Sequence, residues 1–176
     1  QNMPGQYKHL APALAEKPGN EVVFVTKSEE ARIPGVAKLV YKLSREPHRE
    51  THNYVRGFEE QVLFGQAVAR SCLSLKDKGF VPDVICAHSG WGEAMFLRDV
   101  FPAARILLFC EFFYRSEGAD VGFLPGTEPD INARCRTRCR NTHMLVSMEA
   151  ADWGVTPTEW QWGLHPPEMR QRISVL

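Results

Sequence analysis

The sequence predicts an α/β fold, a parallel sheet with helices on both faces. Apolar strand-like runs alternate with segments of helical spacing almost throughout, and runs such as Ala104–Cys110 are continuous rather than polar at every second residue. Strands that alternate with helices give parallel sheets, and continuous apolar runs suit strands covered on both faces. The most informative stretch is Asp83-Val84-Ile85-Cys86-Ala87-His88-Ser89-Gly90-Trp91-Gly92-Glu93-Ala94-Met95-Phe96-Leu97. An apolar run ends in a His, a loop with two glycines follows, and a segment of helical spacing begins at an acidic residue. In an open α/β sheet, ligands bind beyond the carboxyl ends of the strands. A helix start there presents unpaired N–H groups suited to an anionic or polar ligand. The competing reading is a loop that only connects strand to helix.

Bulk properties narrow the class. The chain has 176 residues, 44% hydrophobic and 24% charged, enough for one domain with a real core and too apolar for general disorder. Zero formal net charge and a pI near 7.2 argue against bulk attraction to nucleic acid. No apolar stretch approaches the ~20 residues of a membrane span. Five scattered cysteines fit a reducing cytoplasm. Cys86 and Cys110 lie in apolar runs as small hydrophobes. Cys135 and Cys139 have i, i+4 spacing but no second ligand pair, so no metal site is expected.

Along the chain, Leu10–Ala15 reads as a short helix closed by Pro18-Gly19-Asn20, and Glu21–Thr26 as a buried strand. Val36–Tyr41 is a weaker strand, and Lys42–Glu50 a polar loop. A long helix follows from Asn53 to Lys78, its apolar stripe formed by Val55, Phe58, Val62, Ala69, Cys72 and Leu75, with Thr51 as a candidate N-cap and Gly79 as its stop. Val84–Ala87 is a strand, Glu93–Val100 a helix, and Ala104–Cys110 a strand. Ser116–Asp130 is a long Gly-, Pro- and acid-rich loop. Ile131–Ala150 is mostly helical, Trp153–Thr156 a short strand, Thr158 the start of a helix that Pro166-Pro167 stops, and Ile173–Leu176 a strand.

Both ends read as cuts through a larger protein. Gln1–Gln6 looks like a loop entering a helix, with no strand before it, and Ile173–Leu176 is a strand with nothing after it. In the doubly wound order the first strand lies between the strands at Val22–Val25 and Val84–Ala87. About five to seven upstream residues are therefore expected to supply it.

The ordered set Gln1-Asn2-Met3-Pro4-Gly5-Gln6-Tyr7-Lys8-His9-Leu10-Ala11-Pro12-Ala13-Leu14, Gly65-Gln66-Ala67, Pro82–Ile85, His88–Glu93, Glu111–Tyr114, Gly118–Phe123, Asp152–Thr158 and Arg172–Val175 spans essentially the whole chain. It resembles the N-terminal domain of a family 4 glycosyltransferase of the GT-B architecture. The resemblance implies one of two Rossmann-like domains that face each other across a cleft. Residues 1–176 would be the N-terminal, mainly acceptor-binding domain. The donor-binding C-terminal domain would lie outside this chain, and the fragment alone would be inactive. Such enzymes transfer a sugar from a nucleotide-diphosphate sugar to an acceptor glycan or small molecule. They do so with retention of configuration and generally without a metal or other cofactor in the active site.

Candidate site residues follow from position and from the resemblance. Gly5 and Gln6 lie in the first loop, which in the family approaches the donor phosphates. A glycine admits close backbone approach there, although it serves turn geometry equally well. His88, Ser89, Gly90, Trp91 and Gly92 are expected to line the acceptor side, where Trp offers an aromatic face to a sugar. The competing roles are a loop anchor for Trp91 and a structural hydrogen bond for His88. Glu111 follows an apolar strand, so its carboxylate can hold or polarise an acceptor hydroxyl, with His88 as the other candidate catalytic group and Tyr114 as an acceptor contact. Many relatives carry a His near the Glu111 position, which leaves the base open. A buried ion pair of Glu111 with Arg115 or Arg134 is the competing reading.

Arg134, Arg136, Arg138 and Arg140 form two pairs on nearly opposite helix faces, a solvated arrangement giving at most a weak peripheral attraction to anionic lipid. A dinucleotide-binding module needs G-x-G-x-x-G after the first strand and an acidic residue ending the second. The chain has Met3-Pro4-Gly5-Gln6-Tyr7 and Thr26-Lys27 instead. A non-catalytic sugar- or nucleotide-binding Rossmann-like module remains the alternative to the enzyme.

Overall fold

The computed structural model describes residue 3 and residues 5–176; the loop expected at the start falls partly on residues 1, 2 and 4, outside the described residues. Two compact units carry the chain, Gln1–Ser44 and Arg45–Leu176. The first contains helix α1 (Leu10–Ala15) and strands β1 (Val23–Thr26) and β2 (Ala37–Val40). β1 and β2 pair in parallel, Val23 opposite Ala37 and Thr26 opposite Val40.

The second unit runs α2 (Arg56–Asp77), β3 (Val84–His88), α3 (Leu97–Val100), β4 (Arg105–Phe109), α4 (Ile131–Arg140), α5 (Thr142–Ala150), β5 (Trp153–Thr156), α6 (Glu159–Leu164), α7 (Pro167–Arg170) and β6 (Ile173–Val175). Its four strands are ordered β3-β4-β5-β6 and every pairing is parallel. Parallel sheets flanked by helices give the α/β, Rossmann-like fold that the sequence predicts. Among the described residues β1 ladders only with β2, and β3 only with β4. No helix among them is long and apolar enough to cross a membrane.

The centre of the larger sheet is β4, where Ile106 and Leu108 are fully buried. Leu63, Phe64, Val68 and Cys72 of α2 and Met144 and Met148 of α5 are buried as well, each large apolar side chain contributing about 1.5–3 kcal/mol. Burial pushes the Cys72 thiol up to about 11 and the Cys110 thiol up to about 12, so both are inert packing groups. Cys86 departs from expectation and is exposed. β3 is an outer strand of this sheet, and its alternation puts Val84 and Cys86 on the open side and Ile85 and Ala87 on the more covered one.

Two local expectations are corrected. α2 begins at Arg56, and its N-cap is Val55 without a side-chain cap. Thr51 lies too far upstream; its hydroxyl instead bonds to Glu59 in the first helical turn. Glu59 also takes Arg45 at 2.6 Å, and its carboxyl is held down at about 2, first by Thr51 and then by Arg45. Glu93–Phe96 is a series of tight turns, with Met95 N–H donating to Gly92 C=O and Leu97 N–H to Ala94 C=O, so α3 is a single turn. The expected helix start at Glu93, with its free N–H groups, is therefore not formed. The 131–150 segment is mostly helical as expected, with α4 and α5 meeting at Asn141, and the helix that Thr158 starts ends at Leu164, just before Pro166-Pro167, where Pro167 opens the separate α7.

The amino ends of β4 and β5 are tied by one carboxylate. Asp152 accepts from Arg98 at 2.6 Å, from Ile106 N–H at 2.8 Å and from Arg105 at 3.0 Å. These donors, the Ile106 amide foremost, hold the Asp152 carboxyl well below the usual carboxylate range. Arg98 in turn donates to the carbonyls of Ala150, Pro102 and Ala104.

The tightest contact in the unit is between α2 and the loop after β3. Gly92 has φ +73, and a Cβ there would stand 2.4 Å from the backbone oxygen of Gln61; a Cβ on Gly65 would stand 2.8 Å from Gly92 O. Neither partner atom is a flexible side-chain end. Gly92→Ala combines left-handed strain with a backbone clash and should destabilise the protein by about 2–4 kcal/mol, read from urea denaturation. A loss below about 0.5 kcal/mol, the range of an ordinary surface change, would show that the helix and loop separate without cost.

Candidate functional site

β3 ends in His88, and the loop that follows is a single 3-10 turn, Ser89–Trp91. The β3–β4 register sets His88 opposite Phe109. Glu111 lies two residues beyond Phe109, so parallel pairing carries both groups to the same carboxyl edge of the sheet. There they meet, His88 Nε2 standing 3.0 Å from Glu111 Oε2.

The hydrogen bonds fix the tautomer. Gly90 N–H donates to His88 Nδ1 at 2.9 Å. The ring proton of neutral His88 is then on Nε2, which donates to the Glu111 carboxylate. Both ring nitrogens are occupied. Trp91 stacks on the same ring, with centroids 4.4 Å apart and planes 10° from parallel. His88 is buried, and burial lowers its pKa, opposed by the hydrogen bond and charge of Glu111. The Glu111 side chain is 48% exposed, so it is the member of the pair that a ligand can reach. The alternative pairings are not formed: Arg115 donates to Leu164 C=O, and Arg134 pairs with Glu117.

Other expected residues divide by role. Ser89 is 2% exposed and its hydroxyl donates to Phe109 C=O at 3.2 Å, so it ties β3 to β4 instead of facing an acceptor. Gly92 is buried against α2. Gly90 and Trp91 are half-buried, and Tyr114 is half-buried with the Arg140 guanidinium 3.5 Å from its ring centroid. Gly5 and Gln6 belong to the other unit, where Gly5 opens a 3-10 turn with φ +48 and both are exposed. Cys135 and Cys139 are half-buried and free, and among the described residues no three His, Cys, Asp or Glu groups converge as metal ligands.

His143 is a site residue that the sequence reading missed. Its Nε2–H donates to Gly90 C=O at 3.0 Å. The Gly90 residue is thus gripped at both polar groups, its N–H by His88 and its C=O by His143. The available signal was weak: His143 shares an apolar helix face with Met144 and Ser147, which reads as core.

A model of the glycosyl transferase family 4 group matches residues 18–176. The chain belongs to this family. No curated protein and no solved structure matches it. For a family 4 glycosyl transferase domain, the matched range takes in the whole His88–Glu111 site and begins after Gly5 and Gln6. An aromatic face, a carboxylate with free accepting capacity and a fixed loop can bind and orient a sugar hydroxyl.

Two outcomes test the site. In Glu111→Gln the charge that holds the His88 pKa up is gone, so His88 should titrate lower than in the wild type by NMR of the imidazole protons. A value that is unchanged or higher means the pair is not formed in solution. His88, His143 and His165 are all held below the ordinary histidine value of 6.5, each chiefly by burial. The unfolded chain then binds more protons as pH falls through 6.5, so their stabilisation is complete above that pH and is lost below it as the folded values are approached. Melting temperatures measured from about pH 8 to about pH 5 should fall in the lower half of that range; a flat profile would contradict neutral burial.

Proposed function

We propose that this chain is the acceptor-binding part of a retaining glycosyltransferase, which moves a hexose from a nucleotide-diphosphate sugar to a hydroxyl of a glycan or small-molecule acceptor in the cytoplasm. The observation that carries the reading is the His88–Glu111 pair beside Trp91, at the carboxyl ends of β3 and β4 in a family 4 domain.

The roles follow from the bonding. Glu111 accepts a hydrogen bond from the acceptor hydroxyl and raises the electron density of its oxygen. His88 holds the carboxylate in place; with both nitrogens engaged, it is a positioning residue and not the base. Trp91 and Tyr114 supply flat faces for the acceptor. The donor falls to a second domain, with Gly5 and Gln6 reaching its phosphates. The leaving diphosphate is stabilised by backbone N–H groups and cationic side chains from both halves, which requires no metal.

Transfer then needs both halves. Incubated with UDP- and GDP-hexoses and a glycan acceptor, the 176-residue chain alone should turn over no sugar, while calorimetry detects acceptor binding. Glu111→Ala should weaken that binding about tenfold or more, the effect of one charge-assisted hydrogen bond. Robust transfer by the chain alone would overturn the division of labour. Acceptor binding indifferent to Glu111→Ala would remove Glu111 from the site.

A further inference from the structure

The segment just past Glu111 carries three aromatic residues in a row, Phe112-Phe113-Tyr114. Phe113 turns inward and packs in a core cluster with Met144, Leu164 and Ala119. Phe112 and Tyr114 stay half-buried, with ring centroids 5.3 Å apart. Trp160, on α6 beyond the carboxyl end of β5, meets Phe112 at 5.6 Å and is 56% exposed. The three rings form a continuous surface across the carboxyl ends of β4 and β5.

Phe112 and Tyr114 pack on one side against the Phe113 cluster, but that packing leaves the polar groups along this surface unused. The Trp160 indole N–H and the Tyr114 hydroxyl have no hydrogen-bond partner among the described residues. The Arg140 guanidinium lies 3.5 Å from the Tyr114 ring centroid and makes no ion pair there. The backbone beneath is held firmly: the Asn141 side chain accepts from Tyr114 N–H at 2.9 Å and donates to Tyr114 C=O at 2.8 Å. Asn141 is also where α4 gives way to α5, so the helix break fixes the platform. The result is a rigid aromatic surface rimmed by unpaired donors, continuous with the segment that carries Glu111.

We propose that Phe112, Tyr114, Trp160 and Arg140 form a second acceptor subsite that binds a pyranose ring of a glycan. A pyranose presents C–H faces that lie on aromatic rings and a rim of hydroxyls that take N–H and O–H donors, the two kinds of group displayed here. Adjacent rings are inclined at 55° and 56°, which forms a trough for a puckered ring, whereas a planar nucleobase stacks on a flat face. The Arg140 guanidinium, stacked over one face of Tyr114, favours sugars bearing a carboxylate. The subsite rests on the acceptor-binding reading and makes the natural acceptor at least a disaccharide, one sugar at Glu111 and the next on the platform.

The test is a printed array of hexose, N-acetylhexosamine and hexuronic acid oligosaccharides probed with the 176-residue chain, followed by solution titration of the tightest binder. Trp160→Ala should weaken binding at least tenfold, Trp160→Phe should retain it within threefold, and circular dichroism should show both variants folded, as the exposure of Trp160 implies. Arg140→Gln should selectively weaken uronic acid glycans. A wild-type chain that binds no glycan overturns the subsite, as does Trp160→Ala binding at wild-type strength. Displacement of the glycan by UMP or GMP, lost in Trp160→Ala, would assign the platform to a nucleobase and also overturn it. Binding that depends on Glu111 and not on Trp160 would sink the subsite alone and leave the proposed function standing.

Discussion

The site depends on the backbone of α2 lying against the loop after β3. Two side-chain-free positions, Gly65 and Gly92, make that approach sterically allowed. Gly92 takes up left-handed backbone that other residues rarely adopt. The chain must therefore turn immediately after Trp91, and the segment to Phe96 tightens into consecutive turns instead of a helix. This geometry leaves Gly90 between α5 and the end of β3, where His143 and His88 bond its C=O and N–H. The His88 tautomer, the direction of its Nε2–H and the placement of the Glu111 carboxylate all follow from that grip. A glycine contact on α2 thus reaches the functional carboxylate through a short series of directional bonds.

The two ends of the sheet use carboxylates in opposite ways. Asp152, at the amino ends of β4 and β5, is bonded by two arginines and a backbone amide, which draws on most of its accepting capacity. Its charge is spent inside the fold. Glu111, at the carboxyl end, has one protein donor among the described residues, His88, and is about half exposed. A buried neutral imidazole is a suitable partner for it. The hydrogen bond orients the carboxylate without cancelling its charge, as an arginine in the same place would. A pair with Arg115 or Arg134 would neutralise Glu111, and the structure directs both arginines elsewhere.

Much of the fold was legible because it rests on local pattern. Continuous apolar runs gave β3, β4 and β5 nearly to the residue, and Thr158 was read correctly as a helix start, its hydroxyl accepting from Gln161 N–H. Features that failed were those decided by contacts remote in sequence. Thr51 has a good cap residue's chemistry, but Glu59 takes its hydroxyl, and Arg45 and the His48 N–H hold that carboxylate in place. Asn141 looks like an ordinary helical position until Tyr114, 27 residues away, is seen to take both ends of its amide. The candidate site was legible at His88, Trp91 and Glu111 because each adjoins a strand end. That His88 and Glu111 bond each other was not, since it follows from the β3–β4 register. His143 and Trp160 lie on helices, where a single polar or aromatic residue carries no sign of what it faces.

The saturation of His88 narrows the acid–base possibilities. A histidine at a strand end beside a carboxylate suggests a base, because an imidazole can take a proton near neutral pH. To act so, His88 would have to release either the Gly90 amide or Glu111. Losing the amide bond would free the loop that holds Trp91 on the ring; losing Glu111 would free the carboxylate from the histidine that orients it. Burial further disfavours the imidazolium that proton capture would create. Glu111 needs no such rearrangement. It is already oriented and open on one side, so a bound hydroxyl meets it with the loop intact. The physical economy of the site therefore assigns direct contact with the acceptor to the carboxylate and assigns its orientation to the histidine.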